Sequence, residues 1–106
     1  MDAWKKLKIK GIARIEKVVA EFDVVELEKT PYSKFKVKIY EDLNGAYTGY
    51  TNLRIKDETG DAFGGVGHGN TIEATLNDTI VCFLGILNEK QVWEEDDFEC
   101  SDPFDF

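Results

Sequence analysis

The chain has 106 residues, 42% apolar and 32% charged, with a formal net charge of −8 at pH 7. That length builds one domain around one modest core, and the charge disfavours nonspecific nucleic-acid binding because most of the surface would repel phosphate. No apolar run reaches membrane-spanning length and no secretory leader is visible, so the cytoplasm is the expected compartment and no membrane association is expected.

The charge is unevenly spread. Residues 1–17 carry six Lys/Arg against Asp2 and Glu16, a local +4, whereas residues 89–106 carry eight Asp/Glu against Lys90, a local −7. Two cysteines, Cys82 and Cys100, make no disulfide framework, and Cys82 reads as a small buried apolar residue.

In chain order, residues 3–22 suggest a first helix, with Trp4, Gly11, Ile12, Ile15, Val18, Val19 and Phe22 on one side. Lys6, Lys10, Arg14 and Lys17 form a basic stripe on the other. Lys6 to Lys10 also alternates as a strand would, so the helix is expected from about residue 10 and its start stays open. Val24 to Glu28 is a short strand candidate and Thr30 to Ser33 a turn. Lys34 to Tyr40 alternates without a miss, placing Phe35, Val37 and Ile39 toward a core and the lysines in water. Asn44-Gly45 is a hairpin signal, and Tyr47 to Lys56 returns as the next strand. Asp57 to Asp61 turns again, and Ala62 to Val66 forms a short fourth strand.

Gly64, Gly65, Gly67 and Gly69 then suggest that the sheet ends, leaving His68 in a loop. Asn70 is the expected N-cap of a second helix, with Glu73 completing a capping box. Ile72, Leu76, Ile80, Phe83, Leu84 and Leu87 recur at helical spacing and are expected to be buried. Trp93 is the last expected anchor. The expected architecture is α+β, ordered α-β-β-β-β-α: an antiparallel meander with both helices on one face, over residues 1–93, followed by an acidic aromatic tail over residues 94–106.

The order of helix, antiparallel strands, glycine-rich turn and helix resembles the double-stranded RNA-binding domain, through Gly65-Val66-Gly67-His68-Gly69-Asn70-Thr71. That family holds phosphate with a basic cluster at the start of its last helix. Ile72-Glu73-Ala74-Thr75 stands there instead, and a strand is added, so RNA binding is not carried over. Asn70 to Leu76 is similar as well to the helix start of small HicB-type antitoxins. The tail resembles the acidic tip of single-stranded-DNA-binding proteins, which ends in Pro-Phe or Phe and docks on partner proteins. Asp102, Pro103, Phe104 and Phe106 are the matching positions, although Pro-Phe sits two residues from the end.

Catalytic and metal chemistry find no scaffold in this sequence. One histidine and two distant cysteines cannot supply a metal site, and neither Ser33 nor Ser101 sits in a nucleophile elbow. The glycine run lacks the Lys-Ser/Thr of a phosphate loop. The expected function is therefore a small acidic, non-enzymatic protein without cofactor that covers a basic surface of another protein. Inhibitors, immunity proteins and nucleic-acid mimics, including phage-encoded ones, share this profile. Glu94, Glu95, Asp96, Asp97, Phe98, Asp102, Pro103, Phe104 and Phe106 are its expected contacts. The alternative is a nucleic-acid-associated module that binds anions through Lys6, Lys10, Arg14 and Lys17 and is regulated by its tail.

Overall fold

The computed structural model describes residues 3–102 and residue 106. Among these, an antiparallel meander of four strands, β1 (Lys17–Val25), β2 (Lys34–Glu41), β3 (Tyr47–Lys56) and β4 (Ala62–Gly69), carries one helix, α1 (Ile72–Leu87), on one face. A short strand, β5 (Phe98–Cys100), pairs with β3.

The expected first helix is not formed. Ala3–Lys6 makes a single 3-10 turn, residues 7–16 have no regular structure, and Lys17–Val25 is β1. Its ladder to β2 shifts register between Val18 and Ala20. That bulge breaks the two-residue period and leaves Val18, Val19 and Phe22 at a spacing that imitates a helix face. From Ala20 onward the alternation is clean: Ala20, Phe22 and Val24 stand opposite the buried Ile39, Val37 and Phe35, while Glu21 and Asp23 stand opposite Lys38 and Lys36.

Both hairpins flanking β3 use one five-residue device. In Asp42 to Ala46 and in Asp57 to Asp61, the first residue's N–H donates to the fifth carbonyl, at 3.0 and 2.8 Å, and the glycine N–H donates back to the aspartate carbonyl, at 3.2 and 3.1 Å. The aspartate Oδ1 accepts the N–H groups of the third and fifth residues. Gly45 and Gly60 sit at φ +80° and +88°, where a Cβ would be strained.

The glycine run is not a turn but β4 itself, and His68 is an exposed strand residue. Gly65, Gly67 and Gly69 face α1 together with Gly49 of β3, and a Cβ at Gly67 would lie 2.3 Å from the Thr79 nitrogen. The missing side chains let the helix backbone settle onto the strand backbone. The buried stripe of α1 is accordingly Thr75, Thr79, Phe83 and Leu87, while Ile72, Leu76, Ile80 and Leu84 are half-buried flanks of the core. The two hydroxyls donate to carbonyls one turn back, Thr75 to Thr71 at 2.8 Å and Thr79 to Thr75 at 2.7 Å, so no polar hydrogen is stranded at the seam. The cap is Thr71, one residue later than expected, accepting from the Ala74 N–H at 3.0 Å. Cys82 lies on the opposite, exposed side.

At Asn52, β3 changes neighbours. Val37 pairs with Thr51, but Lys36 gives its N–H to the Asn52 side chain at 2.7 Å, and Ser101 donates to the Asn52 carbonyl at 2.7 Å. Beyond this fork Leu53, Arg54 and Ile55 pair with Cys100, Glu99 and Phe98. Thr51 spans the irregular register on the β4 side: its hydroxyl donates to the Leu53 carbonyl at 2.9 Å and accepts from the Gly65 N–H at 2.8 Å.

Candidate functional site

The acidic aromatic segment does not stand apart from the domain. Glu94 opens a short 3-10 turn closed by Asp97, whose carboxylate accepts the Glu94 N–H at 2.8 Å, and Glu95 and Asp96 are exposed on it. Phe98 enters the core beside Trp93, with ring centroids 6.0 Å apart. Burial removes Phe98 from any list of partner contacts. Glu99 pairs with Arg54 at 2.9 Å, and Asp102 is exposed. Pro103 and Phe104 lie outside the described residues.

Phe106 returns to the outer sheet face, where it lines a hollow together with Tyr40, Tyr50 and Arg14 of the basic stripe. Its ring lies 4.6 Å from the Lys38 ammonium, and the Tyr40 hydroxyl donates to its carbonyl oxygen. Tyr40 meets Tyr50 edge-on at 5.9 Å. Burial, followed by the charges of Glu16, Tyr50 and Glu21, holds the Tyr40 hydroxyl above its ordinary pKa, so it stays a donor. Lys36 sits 3.3 Å from Asp23 and 3.6 Å from Glu21, and Lys38 3.7 Å from Glu21. The hydrogen bond and charge of Asp23, ahead of Glu21, push the Lys36 pKa up. These lysines are already answered by carboxylates of β1.

The stripe of Lys6, Lys10, Arg14 and Lys17 is dispersed. Lys6 ends the 3-10 turn, Lys10 precedes the turn at Gly11, Arg14 lies 3.6 Å from Glu16, and Lys17 begins β1. No helix presents them together.

A surface the sequence reading missed lies at the far end of the sheet. An open hollow of about 170 Å³ is lined by Phe63, Ile86 and Trp93, with Asp57, Glu58 and Glu89 around it and the lysines Lys56 and Lys90 between them. Phe63 is 51% exposed although it faces the helix side, because α1 ends before covering it. The Trp93 indole is fixed by a 2.7 Å bond from its Nε1–H to the Leu87 carbonyl, and Lys90 places its ammonium 4.9 Å from the ring centre. Asp57 is held by its turn: the Thr59 hydroxyl, then the N–H groups of Thr59, Asp61 and Gly60, keep its carboxyl below the ordinary carboxylate range against a smaller cost of burial. Glu94 to Asp97 follow Trp93 directly and extend the acidic rim along the chain. The combination of an aromatic floor and a carboxylate rim suits an apolar side chain flanked by Lys or Arg. The Asp57–Asp61 turn and Trp93 were each visible in the sequence, but their proximity was not.

Among the described residues no group of three or more His, Cys, Asp or Glu is arranged to hold a metal, and no helix is long and apolar enough to cross a membrane. No protein-family model matches the chain, and neither the curated proteins nor the solved structures give a match.

Proposed function

We propose that this chain is a small acidic, non-enzymatic binding protein of the cytoplasm that covers a basic, partly apolar surface of another protein, in the manner of an inhibitor, immunity protein or nucleic-acid mimic. The observation that carries the reading is the hollow of Phe63, Ile86 and Trp93 rimmed by Asp57, Glu58 and Glu89. Exposed aromatic surface beside carboxylates that outnumber the two lysines at its edge, Lys56 and Lys90, provides both parts of protein recognition, an anchor that is desolvated and a field that orients the approach. Glu94, Glu95 and Asp96 add charge next to it without being tied into the core. Direct nucleic-acid binding is not part of the reading, since no helix presents the basic stripe and a net charge of −8 repels phosphate.

The test is a titration of a synthetic peptide alternating Lys/Arg with Leu/Ile, followed by Trp93 emission in a Trp4→Phe background. Binding is expected to weaken about tenfold in Phe63→Ala, the ~1.4 kcal/mol scale of an interface anchor. It is also expected to fall as salt rises from about 0.05 to 0.5 M. Equal binding by Phe63→Ala and by the parent would remove the hollow from the reading.

A further inference from the structure

The irregular segment between the 3-10 turn and β1 is unusual for its exposure. Leu7, Ile9 and Ile12 are 52%, 56% and 54% exposed, interleaved with exposed Lys6, Lys8, Lys10 and Arg14. The segment has a definite shape all the same. Ile12 donates to the Ile9 carbonyl at 3.1 Å across Lys10-Gly11, with Gly11 at φ +88°, and the Leu7 N–H returns to the Trp4 carbonyl at 3.3 Å. It lies against Leu43 of the first hairpin turn, and Lys5 ties it down through Glu41 at 2.5 Å.

This basic apolar loop has the chemistry that the acidic hollow would take, yet one chain cannot bring the two together. The loop sits at the Asp42–Ala46 turn and the hollow at the Asp57–Asp61 turn, and these turns close opposite ends of β3. Ten residues of strand separate them by about 33 Å. The molecule is 47 Å along its longest axis, so the polarity runs lengthwise. Two surfaces that complement each other but cannot meet within a chain can meet between chains.

We propose that the partner of the hollow is a second copy of this chain, whose residues 6–15 dock head-to-tail between Phe63 and Trp93 with their lysines against Asp57, Glu58 and Glu89. The inference rests on the preceding reading of the hollow and names its occupant. The contact is heterologous: each copy offers one loop and one hollow, so association continues into open chains rather than closing at two. Lys90 already covers the Trp93 ring, so the incoming lysines meet Asp57, Glu58 and Glu89 rather than the ring face.

The test is sedimentation of the whole chain. At about 0.05 M salt the weight-average mass is expected to rise with concentration to about twice the single-chain value or more, and to return to one chain at about 0.5 M. Lys8→Gln/Lys10→Gln and Glu58→Gln/Glu89→Gln are each expected to stay single when alone. Mixed one to one, each supplies the surface the other lacks, so they should form a two-chain species and nothing longer. A symmetric contact would give no such rescue, and a mixture that stays single overturns the proposal. A synthetic peptide of residues 5–16 separates the two readings. If it binds the hollow while the chain stays single at low salt, the self-partner falls and the binding surface stands. If neither it nor the alternating peptide binds, both fall.

Discussion

Gly67 and Gly85 show how one residue type plays two roles. A Cβ at Gly67 would stand 2.3 Å from the Thr79 nitrogen and 2.7 Å from its Cα, so Gly67→Ala must lift the helix off the sheet. A loss of at least about 3 kcal/mol in urea denaturation is expected, at the upper end of overpacking costs. Gly85 has nothing within 4 Å of its hypothetical Cβ and lies inside α1, so Gly85→Ala should gain about 0.5–1 kcal/mol. Glu26 makes a different kind of argument. Burial pushes its carboxyl up, but the N–H groups of Lys29, Thr30 and Glu28 and the Thr30 hydroxyl outweigh that and leave it below the ordinary value. A carboxyl depressed in the folded state stabilises at neutral pH, and that contribution fades as pH falls below about 4.3 toward the folded-state value. Glu26→Gln should therefore be less stable than the parent at pH 7, with the gap closing in acid melts. A gap that is constant with pH would mean the carboxylate charge plays no part.

Among the elements, α1 and the three strands around the two Asp-x-x-Gly-x turns could be read directly, because alternation in Lys34 to Tyr40 and apolar recurrence after Thr71 are undisturbed. Two readings failed for one underlying reason, that period is a property of undistorted elements. The bulge near Val19 disguised β1 as a helix, and a glycine run of which Gly65, Gly67 and Gly69 pack against a helix was taken for the end of a sheet. β5 could not be read at all: three residues carry no period, and their pairing with Leu53 to Ile55 depends on a fork created by Asn52. The element has energetic weight all the same. Phe98 is 7% exposed in the core, so Phe98→Ala should cost about 3–5 kcal/mol, and ending the chain after Asp97 at least as much. Ending it after Ser101 keeps β5 and the bond to Asn52 and should leave the melting temperature close to the parent's. If both truncations melt alike, β5 is a passive strand.

At the scale of the whole molecule, the charge imbalance is an arrangement as well as a total. The basic loop borders one end of β3 and the acidic hollow the other, while Lys36 and Lys38 of the outer face are answered in place by Glu21 and Asp23. The hollow and its rim could not be read from the chain because Asp57, Phe63, Glu89 and Trp93 come from three separate segments.

The fork at Asn52 also sets a sequence of events in time. The hairpins of β2, β3 and β4 need only short loops to close, whereas Phe98 must find Ile55 across 98 − 55 = 43 positions of chain. Closing so long a loop is entropically costly and slow compared with zipping a hairpin. With the hairpins closed and β5 not yet docked, the β2 side of Leu53, Arg54 and Ile55 has unanswered backbone groups and the Phe98 cavity is open. For that interval the half-finished sheet is a template for any extended segment nearby, and a neighbouring chain's β5 is the segment that fits it best.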